Sequence, residues 1–223
     1  MKFDAVLFDC DGVLVDSEPI TIGVLRELLA ETGWVMSQQE CMDHFLGRTL
    51  REERALIESN TGQPMTEAWL SLFFERRNRE LQAGLEIIAG AHAAVAAAHE
   101  RTGERIACAS GADRFKVEMQ LSKVGLLDFF AGRIFSGHEM ARSKPAPDVY
   151  LAAARHLQVP PQRCLVIEDT TTGVTAGVAA GATVWAYCTL EQQGGALRQA
   201  GASRLFDRMS DLPQLMVQAE TLL

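Results

Sequence analysis

Residues 5–12 read Ala-Val-Leu-Phe-Asp-Cys-Asp-Gly. An unbroken apolar run thus leads straight into two carboxylates and a glycine. A strand with one solvated face alternates apolar and polar residues, whereas a parallel strand covered on both faces is apolar throughout, as Ala5-Val6-Leu7-Phe8 is. The pattern returns at Ile106-Ala107-Cys108-Ala109, Arg133-Ile134-Phe135, Cys164-Leu165-Val166-Ile167 and Thr183-Val184-Trp185-Ala186-Tyr187. Polar or glycine-containing turns follow the first four. Helical stretches lie between them at Ala91–Glu100, Arg114–Val124, Asp148–Leu157 and Thr172–Ala180. The second of these places Phe115, Met119 and Leu121 on one side, and the last stops at Gly181. Strand and helix in alternation predict a doubly wound α/β fold built on a parallel sheet.

Residues 17–84 break this rhythm. They hold helical patterns at Ile20–Thr32, Ser37–Leu46, Thr49–Thr61 and Thr66–Ala83, and no buried-strand run. A block this long is no simple crossover, so the expected organisation is an α/β core of residues 1–16 and 85–223 with an inserted helical cap at 17–84. A chain of 223 residues suits one domain with such an insertion, at about 150 residues per domain. With 48% hydrophobic and 22% charged residues, the chain is neither disordered nor fibrous. A net charge of −8 argues against a nucleic-acid partner and requires any anionic substrate to meet a local cluster of positive charge.

No stretch is apolar for the 18 or so residues of a membrane span. The opening MKFDAVLFDCDG lacks the pattern of a secretion signal, so a cytoplasmic protein without membrane partners is expected. Five cysteines without a C-x-x-C pair speak against zinc or a redox dithiol. Cys10, Cys108 and Cys164 read as buried small hydrophobes. The five histidines show no ligand spacing. The run Glu75–Glu80 pairs Glu75 with Arg79 and Arg76 with Glu80 at helical spacing, as a solvated face would.

Ligands in open α/β sheets lie beyond the carboxyl ends of the strands. This sequence brings Asp9 and Asp11, Ser110 and Gly111, and Glu168 and Asp169 there, with Lys144 on a loop. Asp9 and Asp11, two apart on extended backbone, point to the same side and repel unless a cation joins them. Carboxylate oxygens of this kind suit magnesium, and Asp169 adds a ligand from another strand. Lys144 can neutralise phosphoryl oxygens. Ser110 offers a hydroxyl, and Gly111 begins the amides of a helix N-terminus. The assembled chemistry is phosphoryl transfer through an aspartyl phosphate.

Each feature has a plainer reading. A lone D-x-D is common, Lys144 suits an exposed loop, Cys10 suits core packing, and Glu168-Asp169 suits a helix N-cap. An EF-hand is excluded, because counting from Asp9 puts Gly12 fourth and Ile20 twelfth. What favours the chemical reading is that four features share one order and one strand-end context.

The chain resembles the haloacid dehalogenase superfamily of hydrolases. The resemblance runs through FDCDGVLVDSE at 8–18, ASG at 109–111, SKPAPD at 143–148 and VIEDTTTG at 166–173, and extends to the helical cap of β-phosphoglucomutase-like and phosphoglycolate phosphatase-like members. It implies Asp9 as nucleophile and magnesium ligand, and Asp11 as general acid/base with its backbone carbonyl on the metal. It also implies Ser110 and Lys144 as the phosphate-binding pair, Asp169 as a metal ligand, and Glu168 as a direct or water-mediated helper. The turn holding Arg48, Thr49 and Arg51 corresponds to a substrate-reading loop, although solvated helix-start charges explain these arginines as well.

The expected activity is magnesium-dependent hydrolysis of a small phosphomonoester, a sugar phosphate or phosphorylated sugar acid, by a monomer. Two alternatives stand beside it. Mutases that the chain resembles carry a histidine shortly after the first motif, where this chain has Ser17-Glu18-Pro19-Ile20-Thr21. Receiver-type phosphoacceptor modules are about half as long, lack a cap and place the phosphorylated aspartate on a later strand.

Overall fold

The computed structural model describes residues 3–45 and 50–221. It divides into two compact units, Met1–Asp16 with Glu86–Leu223, and Ser17–Leu85. The smaller unit is helical: α1 (Glu18–Glu31), α2 (Gln38–Phe45), α3 (Arg54–Thr61) and α4 (Glu67–Gly84). Its helix starts are written locally. Ser37 and Glu40 form a reciprocal capping box before α2, and the Thr66 side chain accepts from the Trp69 amide at the start of α4. Ile22, Leu25 and Leu29 of α1, Phe45 of α2, Ile57 of α3 and Phe73 of α4 close over one core.

The charged run of α4 differs from its sequence reading. Arg76 reaches Glu31 of α1 at 2.5 Å rather than Glu80, and Arg79 pairs with its neighbour Glu80 at 3.1 Å. Arg77 is buried, with its guanidinium on the Asn78 side chain and 4.9 Å from the Phe74 ring centroid. Only part of this run is therefore a solvated face.

Among the described residues the larger unit has one six-stranded parallel sheet: β1 (Ala5–Phe8), β2 (Ile106–Ser110), β3 (Ile134–Ser136), β4 (Cys164–Glu168), β5 (Thr183–Tyr187) and β6 (Arg204–Phe206), in the order β3-β2-β1-β4-β5-β6. Helices α5 (Ala91–Arg101), α6 (Arg114–Lys123), α7 (Asp148–His156), α8 (Thr171–Ala179), α9 (Glu191–Gln199) and α10 (Leu212–Thr221) accompany it. Every residue of β1, β2 and β4 is buried, which is why these strands are apolar without alternation. The chain builds outward from β1 through β2 and β3, then returns to build β4, β5 and β6 on the other side. The reversal falls between β1 and β4, where doubly wound sheets bind ligands.

Register fixes what emerges there. Phe8 lies level with Cys108 on one side and Ile167 on the other. Asp9, Ser110 and Glu168 therefore leave the sheet along one edge.

The sheet exceeds its sequence reading by β6, α9 and α10. Arg204-Leu205-Phe206 is a short, half-polar edge strand without an apolar run, stabilised where Arg204 lies 4.9 Å from the Trp185 ring centroid. Helix α6 also turns differently. Phe115 is exposed, and the inward face carries Lys116, Val117, Gln120 and Leu121. No helix among the described residues is long and apolar enough to cross a membrane.

Candidate active site

The end of β1 leads Asp9 into a buried position, its amide bonded to the Ile167 carbonyl at 3.0 Å. The chain then folds tightly, with the amides of Val13, Leu14 and Val15 all directed to the Cys10 carbonyl. Gly12 makes this turn possible. Its φ is +74°, and a Cβ there would lie 2.0 Å from Asp169 Oδ2, so only glycine lets the turn approach that carboxylate.

Lys144 joins the two sides of the switch point. Its ammonium lies 2.6 Å from Asp9 Oδ1 and 2.7 Å from Glu168 Oε1. The Tyr150 hydroxyl donates to the same Glu168 oxygen at 2.8 Å, and the Tyr150 ring centroid is 4.8 Å from the ammonium. Glu168 Oε2 accepts from the amides of Asp169 and Thr170 and from the Thr170 hydroxyl, at 3.0, 3.2 and 3.1 Å. Thr170 Oγ1 in turn accepts from the Gly173 amide and caps α8. A Cβ on Gly173 would fall 1.7 Å from Glu168 Oε1. Glu168 is thus held by five donors in a cradle that residue 173 leaves open.

Sharing one ammonium has electrostatic consequences. Burial works to raise the Glu168 carboxyl, but Lys144, the Thr170 amide and the Tyr150 hydroxyl hold it below the usual range. Burial works to lower Lys144, yet Asp9 and Glu168 carry it well above the ordinary lysine value. Burial pushes Asp9 up to about 7 despite Lys144, with Glu168 and Asp11 adding to the rise.

Asp11, one residue beyond Cys10, faces a different neighbourhood. Its Oδ1 accepts from Lys116 Nζ and Gln120 Nε2, each at 2.8 Å. Extended backbone between Asp9 and Asp11 predicts both side chains on one side; instead each bonds a different lysine, Lys144 for Asp9 and Lys116 for Asp11, because the turn after Asp9 delivers Asp11 to α6. Lys116, Gln120, Tyr150 and Thr170 are site residues that the sequence reading missed.

Asp9, Glu168 and Asp169 each offer a carboxylate oxygen, the three lying within 4.8 Å of one another. Four carboxylates (Asp9, Asp11, Glu168, Asp169) meet two ammonium groups (Lys116, Lys144), leaving a formal surplus of two negative charges. Hard oxygen donors short of two positive charges fit a divalent cation of the magnesium type.

Ser110 is buried at the end of β2, where its hydroxyl accepts from the Ala112 amide and closes the turn into α6. Asp113 caps that helix by accepting from the Lys116 amide. Gly111 lies 3.2 Å, through its Cα, from where a Cβ on Gly137 would stand, and the Ser143 hydroxyl crowds the same position. This packing brings the turns after β2 and β3 against the loop that carries Lys144. Arg48 and Thr49 lie outside the described residues. Arg51 is exposed within the helical unit and makes a two-pronged ion pair with Glu67, at 3.0 and 3.2 Å.

A family model described as haloacid dehalogenase-like hydrolase matches residues 3–181. The chain is 28% identical over 188 residues to the 6-phosphogluconate phosphatase of Escherichia coli K12, covering 84% of this chain and 83% of that protein. It is 28% identical to the fructose-1-phosphate phosphatase YqaB of the same organism, covering 81% and 94%. Two longer proteins of Arabidopsis thaliana also match, of which the chain spans 20% and 49%. Among solved structures, a HAD family hydrolase from Deinococcus radiodurans R1, with bound phosphate and sodium, superposes with a TM-score of 0.82 at 32% identity, covering 98% of this chain and 97% of that one.

Proposed function

Because the chain belongs to the haloacid dehalogenase-like hydrolases, we propose that it is a magnesium-dependent phosphatase acting on a small sugar phosphate or phosphorylated sugar acid through an aspartyl phosphate on Asp9. The observation that carries this reading is the buried chain Asp9–Lys144–Glu168 with Asp169 beside it. The similarity to phosphatases of 6-phosphogluconate and fructose 1-phosphate supports the substrate class.

In this reading Asp9 Oδ1 stays with Lys144 and Oδ2 is the nucleophile. As Oδ2 bonds to phosphorus, the bond to the sugar oxygen breaks, and Asp11 gives that oxygen a proton. Asp11 then takes a proton from water as the water oxygen attacks phosphorus, freeing phosphate and restoring Asp9. Lys144 neutralises charge on the phosphoryl oxygens. Asp9 and Asp169, with the Asp11 backbone carbonyl, would hold magnesium, which would supply electrostatic neutralisation of the phosphoryl group. Glu168, engaged by five donors, orients Lys144 and would assist the metal directly or through water.

The test is phosphate release from p-nitrophenyl phosphate and from a panel of sugar phosphates and phosphorylated sugar acids. Exhaustive chelation with EDTA should silence the enzyme, magnesium should restore it, and calcium should not, because calcium prefers more ligands at longer distances. Full activity after chelation overturns the metal assignment, and a panel with no phosphate released overturns the phosphatase reading.

A further inference from the structure

The inward face of α6 is anomalous. It packs against β3 of the sheet, and a helix so placed presents apolar side chains on that face. Val117 and Leu121 obey this rule, but Lys116 and Gln120, one turn apart, are buried as well. Burying an ammonium and a carboxamide is unfavourable unless each finds a partner. Both find the same one, Asp11 Oδ1, at 2.8 Å each. Gln120 is held at its other end too, where its Oε1 accepts from the Cys10 thiol at 3.6 Å, so its amide cannot turn over without losing both contacts. A lysine that only balanced the charge of Asp11 would need no such companion.

We propose that Lys116 and Gln120 are positioning residues for the proton-transfer step, a two-point clamp that fixes the rotation of the Asp11 carboxylate. With Oδ1 committed to α6, the proton is carried on Oδ2, and the clamp sets where that oxygen stands relative to the scissile bond. The inference rests on the assignment of Asp11 as general acid/base made above. General acid–base help is worth roughly 10²–10⁴ in rate when geometry is right, and a freely rotating carboxylate forfeits part of it.

The experiment compares p-nitrophenyl phosphate with phenyl phosphate on the same protein sample. The two esters have nearly the same shape, but phenolate is a poorer leaving group than nitrophenolate and depends more on a proton from Asp11. The ratio of their turnover numbers is independent of the fraction of folded enzyme. Lys116→Met and Gln120→Met should each lower phenyl phosphate turnover at least roughly tenfold more than that of p-nitrophenyl phosphate. Lys116→Arg, which keeps a donor, should restore most of the parent ratio. Asp11→Asn, run alongside, should show the largest change in ratio, with a burst of nitrophenolate before turnover stalls. If Asp11→Asn shifts the ratio while Lys116→Met and Gln120→Met leave it at the parent value, the clamp is overturned and the acid/base assignment stands. If Asp11→Asn itself leaves the ratio unchanged, the assignment fails and takes the clamp with it.

Discussion

Asp9 and Asp11 are separated by a single cysteine, yet different parts of the chain build their surroundings. Asp9 is enclosed by strand ends and a loop: the Ile167 carbonyl, Lys144, and behind Lys144 the Glu168–Tyr150–Thr170 network. Asp11 is enclosed by one helix face, through Lys116 and Gln120. Each aspartate thus has its own lysine, but Lys144 also serves a second buried carboxylate, and Lys116 is supported by a neutral amide. The difference separates two jobs that a shared environment would blur. In the proposed mechanism one carboxylate bonds to phosphorus beside a cation, and the other gives and takes a proton.

The most severe way to break this contrast is Asp9→Asn. It should reduce turnover of both aryl phosphates to below about a hundredth of the parent rate while the fold survives, because an amide is a poor nucleophile and metal ligand. A purified variant that kept more activity would contradict a covalent role. Phenyl and p-nitrophenyl phosphate should be affected alike here, unlike in the Asp11 series.

Gly12→Ala strikes the point where the two environments touch. Its Cβ would be forced toward Asp169 Oδ2 from a backbone at φ +74°. The magnesium concentration for half-maximal activity should rise about 10–100-fold, the usual effect of disturbing the supports of a metal ligand. An unchanged magnesium titration would show that the Gly12–Asp169 approach has no part in metal binding.

Tyr150→Phe should have the smallest effect. It removes one of five donors to Glu168 and keeps the ring beside Lys144. A loss of about 1.5–3 kcal/mol in urea unfolding is expected, in line with a hydrogen bond to a charged group. The ratio of the two aryl phosphates should stay at the parent value, since nothing near Asp11 has moved. A shifted ratio would mean that the two environments are coupled.

The same contrast explains what the sequence could disclose. The Asp9 side was legible because strand ends and loops leave local marks: an apolar run that stops at a carboxylate, and a lysine between a serine and a proline. The Asp11 side was not. Lys116 and Gln120 stand in a helix that begins Arg-Phe-Lys-Val-Glu-Met-Gln, where one polar residue in two is ordinary for a solvated face, and Phe115 and Met119 supply a competing apolar side. Only Asp11 Oδ1, more than 100 residues away in sequence, decides which side turns inward. Tyr150 was hidden by the reverse effect, since an aromatic residue on a core helix needs no further explanation until its hydroxyl is seen on Glu168. Strand β6 escaped because three residues at a sheet edge carry no run to read.

The placement of β1 bears on how the molecule comes into being on the ribosome. Strand β1, which leads into Asp9, precedes the other five strands in sequence and lies inside the sheet, but its partners are distant. Val6 aligns with Ile106 on one side and Leu165 on the other. Residues 17–85 can meanwhile close a core of their own. The nascent chain therefore carries an apolar, unpaired β1 until residues 106–108 have been made, and its second partner, β4, follows only from residue 164; pairings of such long range close slowly. The segment that leads into Asp9 is thus exposed to mispairing while its partner strands are still being made.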